Sequence, residues 1–337
     1  MLRIFLTHNP EDLDAYYGRT LADLEALGEV RRNPLERNLT TPELIEAAAG
    51  CEIIVSHRAT HGETALFENA PGLIAFLRCA IDIRDVDLEA ASRAGVLVAN
   101  ADKSFIPSTA EIALGLMLSL ARNIGESTRA YRAGEMPPQV MGAQMRGRTA
   151  GILGYGAIGS YLADLLLALG MRVLVHDPFK KIDRPGIEQV GFEDLLAAAD
   201  VVLPLAQASA ETENLIDAAA LAAMKRTALL VNVSRGELMD EDAVAAALRE
   251  GRIGGLAMDV GRAPDQRPSP ALASLPGVVS TPHTGGLTPE NADEQAASSV
   301  EQVRAMLDGR MPPRSVNPDA ADRLHSWWQK NGLGEKT

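Results

Sequence analysis

The stretch TAGILGYGAIGSYLADLLLALGMRVLVHD, residues 149–177, constrains this chain more than any other. Ala150–Leu153 reads as a strand. The glycines of GYGAIG follow at G-x-G-x-x-G spacing, an apolar helical pattern continues from them, and a second strand-like run ends in Asp177. Glycine at 154 permits a tight turn, at 156 lets backbone approach a pyrophosphate, and at 159 lets helix and strand pack closely. The helix start offers N–H groups and a positive dipole end to phosphates. Asp177 stands where a ribose-binding carboxylate belongs, about 20 residues on. It favours NAD over NADP, because a 2′-phosphate would meet a carboxylate. Lys180 and Lys181 nearby either soften that preference or lie in solvent.

The rest of the chain fits a globular α/β protein. Its 337 residues suggest two domains, at roughly 100–200 residues each. A net charge of −13 repels phosphate backbones, so no nucleic-acid partner is expected. Cys51 and Cys79 read as buried free thiols, and neither they nor the six histidines form a metal-ligand pattern, so no metal is expected. MLRIFLTHNPEDLD reads as a first strand rather than a signal peptide. The most apolar helix, Ile112–Ala121, is shorter than the roughly 20 residues that span a bilayer. No membrane partner and a cytoplasmic location follow as expectations.

Short apolar runs at Leu2–Thr7, Glu52–His57, Leu73–Ala80 and Val96–Asn100 alternate with helical segments near Asp12–Leu27, Pro42–Ala49, Glu63–Asn69 and Asp87–Ala94. Such alternation predicts a parallel sheet covered by helices. Ser108 and Glu111 read as the capping box of a long apolar helix. A second series begins near Arg148, supplies six strand-like runs, and is followed by a helix over about Pro289–Leu307 and a polar tail holding Trp327 and Trp328.

Four stretches, GILGYGAIG, ALLVNVSRGELMDEDAVAAAL, GRIGGLAMDV and TPHTGG, stand in the order and spacing of one family. Over roughly residues 40–318 the chain resembles the D-isomer-specific 2-hydroxyacid dehydrogenases, which include phosphoglycerate, glycerate and formate dehydrogenases. The resemblance implies a Rossmann-type doubly wound nucleotide domain (101–285) inserted into a smaller flavodoxin-like substrate domain (1–100 and 286–325), with 326–337 as a C-terminal tail. It implies an active site in the cleft, a homodimer, NAD as cofactor and a small 2-oxo or 2-hydroxy acid as substrate. Arg235 matches the arginine that holds the substrate's carboxylate and C2 oxygen, a task suited to a planar, permanently charged fork. His283 matches the histidine that exchanges the hydroxyl proton, while hydride passes between nicotinamide and C2. Asp259 matches the aspartate at the nicotinamide carboxamide, beside Val233 backbone. With Arg235 and His283, the implied cofactor contacts are Thr109, Gly154, Tyr155, Gly156, Ala157, Ile158, Gly159, Asp177, Gln207, Val233, Asp259 and Gly285.

The pattern also breaks. The family's third catalytic member is a glutamate, or glutamine in formate dehydrogenases, that hydrogen-bonds the histidine. Counting from Asp259 puts Pro264 there, and Asp265 is the adjacent carboxylate expected to take over. In the substrate-gripping loop, Ile81, Asp82 and Ile83, the central residue replaces a glycine and Arg84 an aspartate. A carboxylate beside a bound carboxylate is unfavourable. Asp82 therefore points away, pairs with a cation such as Arg84 or Arg235, serves a substrate of different shape, or supplies the missing acid. Gln207 replaces a proline. In HRATH, His57 takes the place of a phosphate-binding arginine, with Arg58 beside it as a candidate anion contact.

Three readings stay open at this level. The first is an NAD-dependent oxidoreductase acting on a CH–OH group. The second is an NAD(H)-binding sensor or corepressor on the same fold, and the third a formate-like enzyme that needs no proton transfer.

Overall fold

All strand pairings are parallel among the residues that the computed structural model describes, 2–263 and 265–334. The chain divides into two units, Met1–Ser104 with Pro289–Thr337, and Phe105–Thr288.

The first unit holds β1 (Arg3–Leu6), β2 (Glu29–Arg32), β3 (Ile53–Ser56), β4 (Ala75–Arg78) and β5 (Leu97–Asn100), in the order β2-β1-β3-β4-β5. This is the flavodoxin-like order, with its switch point between β1 and β3. β3 and β4 are buried throughout because helices cover both faces. Leu2, Ile4, Leu6, Ile53, Val55 and Leu77 form one side of the core, and Phe5, Ile54, Phe67 and Phe76 the other.

The second unit holds β6 (Thr149–Leu153), β7 (Arg172–His176), β8 (Ile187–Gln189), β9 (Val201–Pro204), β10 (Leu229–Asn232), β11 (Gly255–Met258) and β12 (Val278–Ser280). Their order is β12-β11-β10-β9-β6-β7-β8, the doubly wound Rossmann arrangement with one strand added. The switch point lies between β6 and β9, where ligands bind beyond the strands' carboxyl ends. The helix Ile106–Ala121 packs its buried Thr109, Ala110, Ala113, Leu116 and Met117 within this unit.

Several elements differ from the sequence expectation. β2 (EVRR) and β8 (IEQ) have no apolar run to betray them, because both are edge strands with polar side chains. The helical pattern near Asp12–Leu27 is two helices, Pro10–Tyr16 and Leu21–Glu25. Gly18 is a poor helix former, and the buried Tyr17 hydroxyl is tied to Ser299 Oγ at 2.6 Å. Ser108 does not cap its helix, which begins at Ile106; the Ser108 hydroxyl donates back to the Phe105 carbonyl at 3.1 Å. The segment read as a polar C-terminal tail is ordered over its described part. Asp322–Lys330 is a helix whose Trp328 is 1% exposed and donates its indole N–H to the Met306 carbonyl at 2.7 Å. An amphipathic stripe carrying a tryptophan finds its place in the core despite its polar neighbours.

Candidate active site

In the second unit, β6 runs into the glycine loop. Gly154 sits at φ +96°, and a Cβ there would lie 2.7 Å from Ala206 backbone. A Cβ on Gly159 would lie 2.5 Å from the Gly154 carbonyl oxygen. Gly156 differs: a Cβ there would meet nothing within 4 Å, so that side of the loop is open. The helix Ala157–Ala168 starts here, and its first intrahelical donor is Ser160 N–H, to the Gly156 carbonyl. The N–H groups of Ala157, Ile158 and Gly159 precede that bond and suit a pyrophosphate.

Asp177, past the end of β7, accepts from Tyr155 N–H at 2.8 Å, Phe179 N–H at 2.9 Å and Lys180 N–H at 3.1 Å. Burial pushes this carboxyl up, but the three amides and the Lys180 charge prevail and hold it below its ordinary value. It is therefore ionised, with acceptor capacity left for hydroxyl donors. Two nearby cations are engaged. Lys180 Nζ donates to the Tyr155 carbonyl at 2.7 Å, and Arg184 pairs with Asp164 and the Tyr155 hydroxyl.

Arg235 follows β10. Asn232, fully buried, accepts Ser234 N–H at 3.0 Å and donates to the Arg235 carbonyl at 2.8 Å, so one carboxamide fixes the turn. The Ser234 hydroxyl donates to the Ala206 carbonyl at 3.1 Å, joining this turn to the loop after β9. Gln207 lies in that loop, exposed, its carbonyl accepting the Thr212 hydroxyl at 2.7 Å. Val233 is buried in the turn. The Arg235 guanidinium donates to the Ser234 carbonyl at 2.7 Å.

Asp259 directly follows the neighbouring β11, its N–H bonded to the Asn232 carbonyl at 3.0 Å. Its side chain is 1% exposed and organises the histidine loop. Oδ1 accepts the Thr281 hydroxyl at 2.6 Å and Thr284 N–H at 2.8 Å, while Oδ2 accepts Gly285 N–H at 2.8 Å. His283 sits between these anchors at φ +60°, a left-handed conformation that a non-glycine residue holds only when its surroundings fix it. A Cβ on Gly285 would come within 2.9 Å of Asp259 Oδ2 and 3.7 Å of Thr109 Oγ1, which places Thr109 at the same spot.

The sequence expected the Asp265 carboxylate to serve His283, and the geometry differs. His283 Nδ1 lies 3.5 Å from the Asp265 main-chain oxygen. The Asp265 carboxylate accepts Arg267 N–H at 3.1 Å and faces its Nε at 3.4 Å. A tight loop is the cause. Gln266 at φ +59° bonds its N–H to the Ala263 carbonyl, and Gly261 N–H bonds the Gln266 carbonyl. Pro264 lies outside the described residues.

Sequence reasoning missed Arg262 here. Its guanidinium pairs with Glu213 at 2.6 Å, reaches Asn214, and donates to the Glu237 and Met239 carbonyls at 3.0 and 2.9 Å. It links the segments after Arg235 and after Asp259. Gly236 marks the same junction, since a Cβ there would lie 2.2 Å from the Gly261 carbonyl carbon.

In the first unit, the loop after β4 carries Ile81, Asp82 and Ile83. Asp82 is paired with Arg84, Oδ2 to Nη2 at 2.7 Å, one of the options left open by the sequence. The Ile81 and Ile83 carbonyls accept Asn100 Nδ2 and Val86 N–H at 3.0 and 2.9 Å. Arg58 is exposed in the loop after β3. Beside it His57 is buried, its ring 5.0 Å from that of His8. Asp12 lies 3.7 Å from His57 Nδ1, an ion-pair distance. Burial, with Arg58 and Arg78, nevertheless pulls His57 down to about 4, so it is neutral at pH 7. Among the described residues no cluster suits a metal ion, and no helix is long and apolar enough to cross a membrane.

Residues 114–285 match the model of the D-isomer specific 2-hydroxyacid dehydrogenase, NAD binding domain. The chain is 33% identical over 334 residues to glyoxylate reductase of Aeropyrum pernix, covering 94% of this chain and 96% of that one. It is 31% identical over 324 residues to D-3-phosphoglycerate dehydrogenase of Methanocaldococcus jannaschii, covering 94% of this chain but only 60% of that protein's length. A crystal structure of a Thermus thermophilus protein superposes with a TM-score of 0.82 at 31% identity, covering 94% of this chain and all of that one.

Proposed function

The chain belongs to the D-isomer-specific 2-hydroxyacid dehydrogenase family, and from that premise we propose that it is an NAD-dependent oxidoreductase acting at C2 of a small 2-hydroxy or 2-oxo acid. One observation carries the reading. The glycine loop, the Arg235 turn and the Asp259-held loop of His283 all stand beyond the carboxyl ends of one parallel sheet, where nucleotide and substrate bind in such folds.

When bound, the nicotinamide cofactor supplies or accepts the hydride. The chain's own residues do the rest. The Ala157, Ile158 and Gly159 amides hold the pyrophosphate against the open side of Gly156, and Asp177 takes the ribose hydroxyls beside Tyr155. Thr109, Gln207, Val233 and Gly285 complete the cofactor contacts, and Asp259 holds the loop on which Gly285 stands. Arg235 grips the substrate carboxylate and stabilises charge on the C2 oxygen. His283 takes the hydroxyl proton in oxidation and returns it in reduction. The Asp265 carbonyl accepts only, so its contact with Nδ1 favours the tautomer with hydrogen on that nitrogen. Ile81, Asp82, Ile83 and Arg58 are the remaining substrate residues.

Self-association into a homodimer is part of the proposal. Ile124, Tyr131, Met136, Val140 and Met141 are all exposed within one stretch of the second unit, Met141 at 98%. A contiguous apolar patch marks an interaction site, and sedimentation velocity tests whether this stretch is one.

The test is turnover. Glyoxylate, pyruvate and 2-oxoglutarate with NADH, and the corresponding hydroxy acids with NAD, are followed at the nicotinamide absorbance. Reduction of at least one acid is expected. Tight NADH binding with no turnover of any acid would favour the sensor reading.

A further inference from the structure

We propose that Arg78 is a positioning residue that sets both substrate loops of the first unit at once. The inference rests on the reading that Arg58 and the Ile81–Ile83 loop hold the substrate.

Arg78 ends the apolar strand AFLR, and its side chain is 2% exposed. A buried guanidinium is stable only with a counter-charge and partners for its donors. Arg78 has both, and nearly every partner is a loop. Asp85 faces Nη2 with both carboxylate oxygens, at 2.6 and 2.5 Å. The remaining partners are main-chain carbonyls. Nη1 donates to those of His57 at 3.1 Å and Thr60 at 2.5 Å, Nη2 to that of Arg58 at 2.5 Å, and Nε to that of Asp82 at 3.3 Å. One planar fork therefore fixes the backbone of Arg58 against the backbone of Asp82.

A second seam runs below it. Gly62 N–H donates to the Asp85 carbonyl at 3.0 Å, and Asp87 N–H returns to the Gly62 carbonyl at 2.7 Å. Gly62 lets the two loops approach closely, since a Cβ there would lie 2.9 Å from Val86 Cγ1 and force the valine to shift. This seam keeps the loops in register without Arg78. The guanidinium then acts on the upper part, where the substrate residues stand. Lysine keeps the charge but cannot reach four carbonyls and a carboxylate from one rigid plane.

The experiment uses the full chain with Arg78→Lys, Asp85→Asn and, as a reference, Asp82→Ala. Thermal melting establishes that each variant is folded. Steady-state kinetics use glyoxylate, pyruvate and 2-oxoglutarate with NADH, and amide exchange is followed by mass spectrometry. For Arg78→Lys and Asp85→Asn, KM for the acid is expected to rise about tenfold or more, with kcat within about threefold and NADH affinity unchanged, the signature of lost ground-state binding. Exchange should accelerate together in 57–62 and 80–87 and stay as in the wild type in 149–177. Unchanged KM in either folded variant, or faster exchange in one loop alone, would overturn the proposal. If Asp82→Ala raises KM while Arg78→Lys does not, the substrate reading stands and the positioning role falls. If none of the three moves KM, the substrate reading of these loops is lost and this inference with it.

Discussion

His283 Nδ1 faces the main-chain oxygen of Asp265 at 3.5 Å, while the Asp265 carboxylate is turned to Arg267. A main-chain carbonyl survives side-chain replacement. Asp265→Asn is therefore expected to leave kcat within about twofold and the pH dependence of the reductive rate in place, whereas His283→Asn should cost about 100-fold or more, the usual worth of general acid–base catalysis. A pH–rate profile of both variants checks this. A shifted profile in Asp265→Asn would mean that the carboxylate itself serves the histidine.

Cofactor choice rests on Asp177. Its three amide donors lock the carboxylate in place, and the neighbouring Lys180 and Arg184 are engaged with Tyr155 and Asp164. A 2′-phosphate would meet a fixed anion beside two cations, Lys180 and Arg184, that already have partners. NADH should be used at least about tenfold better than NADPH, about 1.4 kcal/mol. Equal kcat/KM values for the two would refute this.

Asp259 is expected to matter more for the shape of the loop than for charge at the cofactor. Its carboxylate satisfies Thr281, Thr284 and Gly285 around His283. Asp259→Ala strands those donors and should destabilise the fold by about 3 kcal/mol, with activity lost alongside. Asp259→Asn keeps an acceptor and should retain more of both. Urea unfolding with parallel kinetics decides; equal stability of Asp259→Ala and wild type would contradict the loop-holding role.

The buried histidine pair of the first unit makes stability depend on pH. Burial, then Arg58 and Arg78, lowers His57 to about 4; burial, then His57, lowers His8 to about 3. Asp12, Tyr16 and Tyr17 also face these rings. Both folded values lie below the ordinary histidine value of about 6.5. Above that value both states are neutral and the full stability is present. As pH falls from about 6.5 toward 4 the unfolded chain takes up protons that the folded one refuses, and stability declines. Tm should drop between about pH 7 and pH 4.5, and less steeply in His8→Gln and His57→Gln than in the wild type. Identical slopes in all three proteins would contradict this.

What the sequence reveals follows from the range of each constraint. The glycine loop is legible because the demands on Gly154 and Gly159 are written into its own spacing, although the structure meets them with Ala206 backbone and the helix start. Arg235, Asp259 and His283 are legible as motif positions, but their supports are not. Asp259 is partnered by residues more than twenty positions away, and the side-chain direction of Asp265 depends on a left-handed Gln266. Arg78 and Arg262 look like ordinary strand-end and loop arginines until the fold brings carbonyls around them. β2 and β8 carry polar edge sequences that periodicity cannot distinguish from loops.

The most direct test of the proposed function is kcat/KM for the best 2-oxo acid, measured in wild type and Arg235→Lys beside NADH affinity. Lysine keeps the charge and loses the fork that binds a carboxylate through two hydrogen bonds. A fall of about 100-fold in kcat/KM is expected, with NADH affinity within about threefold of wild type. If kcat/KM stays within about twofold of wild type, Arg235 does not hold the substrate, and the assignment of this site as a 2-hydroxyacid dehydrogenase centre is contradicted.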